Sequence, residues 1–188
     1  MIIIFYIILD LINNICFNDF IKENNLGETE IKYFILELIK GLKYLHNNKI
    51  IHRNLKMENI YLTNNKELKI GEFDLAVKLN YEGEKRKSII GTPLYMAPEL
   101  LKEKEYSYEI DIWSLGIIIY KILIGKTPFE TNHFSELLIK VNHMDYTFPK
   151  NINISNEAKD LISKILVEDP SKRLTLAQIM EHKFFKMD

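Results

Sequence analysis

The sequence predicts an α+β fold that is mainly helical, on three observations. From Glu28 to Asn48, Ile31, Phe34, Ile35, Leu38, Ile39, Leu42 and Leu45 recur at spacings of three and four, the stripe of an amphipathic helix. The run "IDIWSLGIIIYKILIG" (110–125) is apolar on nearly every side, which suits a helix at the centre of a domain. Strand-like runs are few and short: "NIYLT" and "LKI", joined by Asn64-Asn65-Lys66, read as a small hairpin with strands at 59–63 and 68–70.

The other elements follow in order. "MIIIFYIILDLI" lacks a basic leader and a small-residue cleavage site, so it does not read as a signal peptide. Asp10 cuts its apolar run well below the roughly 20 residues that span a bilayer. Residues 2–9 are therefore expected as a buried strand whose sheet partners would come earlier, a first hint of a partial domain. Residues 71–98, with their turns, charges and two prolines, are expected as a long functional loop. Further helices are predicted at Ser155–Val167, opened by Ser155, and at Thr175–Phe184, opened by a Thr175–Gln178 capping box.

Composition narrows the function classes. The chain has 188 residues and is 47% hydrophobic, enough for one domain with a core. Its 25 Lys and Arg stand against 26 Asp and Glu, so no basic excess points to nucleic acid or an anionic membrane. The single cysteine, Cys16, excludes an internal disulfide, fits a reducing compartment and is expected as a small buried side chain. His46, His133, His143 and His182 show no metal-ligand spacing.

The chemistry lies in stretches that gain meaning together. "HRNLKMEN" (52–59) has the spacing of the phosphoryl-transfer loop H-R-D-L-x-x-x-N, with Asn54 in place of Asp. "KIGEFDLA" (69–76) falls where a D-F-G strand end belongs. "GTPLYMAPE" (91–99) ends in an intact A-P-E, and "DIWSLG" (111–116) and Arg173 complete the order. The whole chain thereby resembles the C-terminal lobe of a eukaryotic protein kinase. "YEGEKRKSIIGTP", "GKTPFET" and "YTFPKNIN" are most similar to the polo-like serine/threonine kinases.

That resemblance implies a protein-kinase-like fold, with the last N-lobe strand and hinge in 1–12 and the C-lobe in 13–185; neither the rest of the N-lobe nor polo boxes are found. It implies adenine contacts at Asp10, Leu11 and Ile12, and at Tyr61 beneath the ring. Lys56 would face the transferring phosphate, Asn59 and Glu72 would hold Mg²⁺, and Thr92 would mark the serine/threonine class. Ser88 stands at the polo-like phosphorylation position, with Arg53 to receive the phosphate. Glu99 with Arg173, and Asp111, take structural roles. ATP and Mg²⁺ are the implied cofactors, with weak binding. Protein substrates or scaffold partners are implied, with no nucleic acid, no membrane and no other metal, in an intracellular setting, cytoplasmic or nuclear.

Three departures bear on activity. Asn54 keeps an acceptor oxygen but has no charge and takes no proton. Glu72 carries one methylene more than aspartate, and Asp74 replaces the motif's glycine. The seven glycines contain no G-x-G-x-x-G, and no V-A-I-K precedes Asp10. The residues leave three readings open: a kinase with weakened or lost transfer, a pseudokinase scaffold, and a truncated gene product.

Overall fold

The computed structural model describes residues 15–24 and 26–186. The strand expected at 2–9 and the hinge residues Asp10, Leu11 and Ile12 lie outside the described residues.

Strand β1 (Ile15–Cys16) runs into helix α1 (Phe17–Glu23), which the sequence pattern does not announce. Its Phe17 and Phe20 pack with Phe34 of the next helix in edge-on contacts of 5.3 and 5.8 Å. Helix α2 (Glu28–Asn47) buries all seven residues of the predicted stripe. Gly27 N donates to Glu30 Oε2 at 3.0 Å at its start, and Asn48 Nδ2 donates to Tyr44 O at 2.8 Å at its end.

Strand β2 (Ile50–Ile51) leads into the 52–59 loop. Strands β3 (Ile60–Leu62) and β4 (Leu68–Ile70) form the predicted hairpin, antiparallel with Ile60 opposite Ile70, and β1 adds to the other edge of β3. Residues 71–98 are less bare than expected. They hold 3-10 turns at Phe73–Leu75 and Pro93–Tyr95, and strand β5 (Val77–Lys78), which pairs antiparallel with β2. A two-residue strand has too little sequence to show a period.

After the short helix α3 (Pro98–Leu101), helix α4 (Glu109–Ile124) forms the centre, with 13 of its 16 residues buried. It ends at Gly125, whose φ of +89° supplies the left-handed stop. Helix α5 (Phe134–Asn142) was not foreseen. Helix α6 (Asn156–Ile165) starts where predicted, with Ser155 Oγ accepting from Ala158 N at 3.2 Å, and stops two residues early. It packs against α4 at Gly116, where a Cβ would lie 2.6 Å from Ile165 Cγ2.

The helix predicted at Thr175–Phe184 is corrected. Helix α7 (Leu176–Met180) has the capping box, but the chain then leaves helical geometry. His182 bonds Asp160 Oδ2 at 3.0 Å through Nε2, and its Nδ1 accepts from Phe184 N at 3.2 Å, starting a separate 3-10 turn at Lys183–Phe185. That turn buries Phe184. Among the described residues no helix is long and apolar enough to cross a membrane.

Candidate active site

The site forms where the loop after β2 passes the first turn of α4. Asp111, fully buried in that turn, accepts from His52 N through Oδ2 and from Arg53 N through Oδ1, each at 2.9 Å. His46 Nε2 meets the same Oδ2 at 3.0 Å. A carboxylate in a helix's first turn also faces the positive end of its dipole, which favours the charge. Arg53 is held at φ +66°, a left-handed conformation that these two bonds make tolerable.

This anchoring presents Asn54. Its Oδ1 accepts the Thr92 hydroxyl at 2.8 Å, and its backbone oxygen accepts Asn59 Nδ2 at 2.9 Å. Gly91 permits the approach: at φ +118° it runs so close that a Cβ would lie 2.6 Å from Arg53 O. His52 Nε2 lies 2.8 Å from Gly71 O and Nδ1 takes Asn54 N at 3.3 Å, so Nε2 carries the proton. Phe73 packs edge-on to the same ring at 5.0 Å.

Asn59 and Glu72, the residues expected to hold Mg²⁺, come together through the hairpin. Gly71 N donates to Asn59 O at 2.9 Å, which extends the β3–β4 ladder by one step and delivers Glu72 beside Asn59. Glu72 is left-handed at φ +58°, and its Oε1 accepts the Tyr61 hydroxyl at 3.1 Å. Burial, then the Glu72 bond, pushes the Tyr61 phenol above its ordinary pKa. The residues suit Mg²⁺ in kind: with Nδ2 committed to Asn54, Asn59 has its amide oxygen to offer, Glu72 has a second carboxylate oxygen, and Asp74 is exposed next door. Among the described residues no cluster of three or more His, Cys, Asp or Glu could hold a metal by itself, so other ligands would have to complete the shell.

Other expected residues also find partners. Arg53 Nε donates to Leu75 O at 2.6 Å, which aims Nη1 at Ser88 Oγ, 3.1 Å away. Glu99 and Arg173 form a buried bidentate pair at 2.9 and 3.1 Å, and the guanidinium lies 5.2 Å from the Trp113 ring centre. Lys56 is half-buried and takes part in no ion pair among the described residues. Cys16, expected to be buried, is half-buried with its sulfur 4.0 Å from Met57 O, because β1 is an edge strand.

Sequence reasoning missed three contributors. His46, which shows no metal-ligand spacing, bonds Asp111. Tyr106, nearly fully buried, places its hydroxyl 3.0 Å from both Ser88 Oγ and Ser88 O. Lys121 Nζ bridges Glu58 Oε1 at 2.8 Å and Tyr95 Oη at 3.0 Å. Burial pushes the Glu58 carboxyl up, but the Lys121 hydrogen bond and charge leave it below the ordinary value. Burial likewise pulls Lys121 down, and Glu58 and Tyr95 more than offset it. The only sequence signal for this cluster was Lys121 interrupting an apolar helix.

An H-R-N loop hung from a buried aspartate, a carboxylate at the end of a hairpin and an A-P-E ion pair define a protein-kinase fold. The chain belongs to the protein kinase family, whose pattern, "Protein kinase domain", matches residues 4–185. It is 46% identical over 183 residues to the probable serine/threonine-protein kinase CCRP1 of Zea mays, covering 96% of this chain and 29% of that protein. It is 43% identical over 164 residues to the serine/threonine-protein kinase PLK1 of Xenopus laevis, covering 87% and 27%. The serine/threonine-protein kinase polo of Drosophila melanogaster is 39% identical over 165 residues, covering 88% and 28%. The chain spans less than a third of the length of these relatives.

Proposed function

We propose that the chain is part of a polo-like serine/threonine protein kinase whose phosphoryl transfer is weakened at the proton acceptor and at one metal ligand. The observation that carries this is the neutral Asn54–Thr92 hydrogen bond at the position of the acceptor aspartate. Asn54 Oδ1 can accept a hydrogen bond from a substrate hydroxyl and orient it, but no proton moves onto the amide. Lys56 would hold charge beside the transferred group. Asn59 and Glu72 would hold Mg²⁺, which when bound to ATP neutralises charge developing on the phosphates. Asp10 to Ile12 and the Tyr61 ring would meet adenine, and Ser88 would be the regulatory phosphorylation site.

Positioning and charge neutralisation dominate phosphoryl transfer, whereas general-base catalysis contributes about 10²–10⁴-fold. The expected state is slow turnover rather than none. A second reading, a scaffold for protein partners, draws on Thr92 and the Glu99–Arg173 pair, which keep the docking segment ordered without a catalytic charge. The family and the lone Cys16 support an intracellular setting.

The test joins residues 9–188 to the small lobe of an active polo-like kinase and measures turnover. Asn54→Asp should raise it by about 10²–10⁴-fold, and Glu72→Asp with Asp74→Gly should strengthen Mg²⁺-dependent nucleotide binding. The combination should exceed either change, since base and metal act on one transition state. Equal turnover in the unaltered and combined versions would remove the impairment. A combined variant that folds but stays inactive would favour the scaffold.

A further inference from the structure

We infer that Tyr61 is a positioning residue for Glu72, its hydroxyl acting as the outer hydrogen-bond partner that fixes this carboxylate as a divalent-cation ligand. The inference rests on the reading of Asn59 and Glu72 as the metal positions.

Three features converge on this pair. The β3–β4 register sets Ile60 opposite Ile70, and the Gly71 N to Asn59 O bond carries the ladder one step further. Tyr61 therefore lies diagonally across from Gly71, within reach of an aromatic side chain. Gly71 offers the ring a bare backbone: a Cβ there would lie 2.7 Å from Tyr61 Cε2. With the ring seated over Gly71, its hydroxyl meets the next residue, and Glu72 Oε1 accepts it at 3.1 Å. Glu72 itself stands at φ +58°, which aims the side chain back across the hairpin.

This arrangement answers a problem posed by the longer side chain. Glutamate has one more rotatable bond than the family's aspartate, and Glu72 is exposed, so a free carboxylate would sample many positions. Mg²⁺ tolerates little departure from octahedral geometry. A donor that engages one carboxylate oxygen removes that freedom and leaves the other oxygen for the ion. The phenol keeps its proton at neutral pH and so can only donate here. Removing such outer partners of metal ligands typically costs about 10–100-fold in metal affinity.

The whole chain can be titrated with ADP by NMR, which reaches millimolar affinities, in Mg²⁺ and in EDTA. Tyr61→Phe keeps the ring, so the readout is the ratio of ADP affinity in Mg²⁺ to that in EDTA, which should fall by about 10-fold or more. In a Glu72→Asp background the shorter carboxylate is out of the phenol's reach, and Tyr61→Phe should change nothing further. That dependence on background separates positioning from general support of the fold. The inference fails if Tyr61→Phe keeps or increases the Mg²⁺ gain, which would make the phenol a competitor of the ion. Equal losses in both backgrounds, or in EDTA as well as Mg²⁺, also overturn it. Unaltered chain whose ADP affinity ignores Mg²⁺ overturns this inference together with the metal reading beneath it. An intact Mg²⁺ gain that survives Tyr61→Phe overturns the Tyr61 role alone.

Discussion

Thr92 Oγ1 donates to Asn54 Oδ1 at 2.8 Å across 38 residues of sequence, so the segment after Gly91 is latched to the loop by a neutral bond. In wild type, Thr92→Val removes a hydroxyl from a half-buried neutral pair and should cost about 1 kcal/mol. With Asn54→Asp the same bond becomes charge-assisted, and Thr92→Val should then cost about 1.5–3 kcal/mol. Chemical denaturation of the four proteins measures both steps. Equal costs in the two backgrounds would show that Thr92 does not point at residue 54 in solution.

The Glu99–Arg173 pair is buried on both sides, and Arg173 Nη1 also donates to Glu109 O at 2.6 Å while Nη2 reaches Val167 O at 3.1 Å. Arg173→Met leaves a buried carboxylate uncompensated and frees those carbonyls. The expected loss is about 3–5 kcal/mol. Glu99→Gln should cost less than Arg173→Met, because the guanidinium keeps both carbonyls and the Trp113 ring. Denaturant midpoints give the order directly, and the reverse order would contradict it.

The amphipathic stripe of α2 and the all-round burial of α4 were legible because each is long enough to show its period. The hairpin was legible from the turn at Asn64-Asn65-Lys66. Helix α1 escaped notice because it is short and sits beside an apolar edge strand, where no period stands out. The end of α7 could not be read either: it depends on His182 bonding Asp160, a contact made by folding. In the site, Asn54, Asn59, Glu72 and Asp111 were picked out by the order of motifs that carries the kinase resemblance. His46, Tyr106 and Lys121 were not, since each acts across at least 18 residues through a single polar atom.

The Glu58–Lys121 pair gives stability a defined pH window. Glu58 has a folded pKa below its unfolded value, about 4.3, so its contribution is present above that value and fades as pH falls through the folded one. Lys121 is raised above about 10.4, so its contribution is present below that value and fades as pH rises through its folded one. Between about pH 5 and 10 the pair should add a constant amount. Glu58→Gln should therefore lower Tm at pH 7 and flatten the fall in Tm between pH 5 and 3. An unchanged acid limb in this variant would mean that other carboxylates carry it.

Phosphorylation of Ser88 should lock the activation segment onto Arg53. Ser88 is exposed, yet its Oγ already lies 3.1 Å from Arg53 Nη1, and Arg53 is aimed by its bond to Leu75 O. Arg86, two residues earlier, is committed to Glu84 at 2.8 Å, whereas Arg53 already reaches the Ser88 hydroxyl. A phosphoserine brings about −1.5 to −2 charges at pH 7 and three acceptor oxygens, enough for charge-assisted bonds to the guanidinium. The new group must displace the Tyr106 hydroxyl from Ser88 Oγ, a neutral bond that is weaker than those gained. Limited proteolysis within residues 78–90 should slow after phosphorylation, and slow further from pH 5 to 7 as the second phosphate proton, with a pKa of about 6, leaves. Arg53→Met should abolish the protection, so that the phosphorylated and unphosphorylated forms of the variant are cleaved at the same rate. Unaltered cleavage after phosphorylation, or protection that survives Arg53→Met, would place the phosphate on another partner.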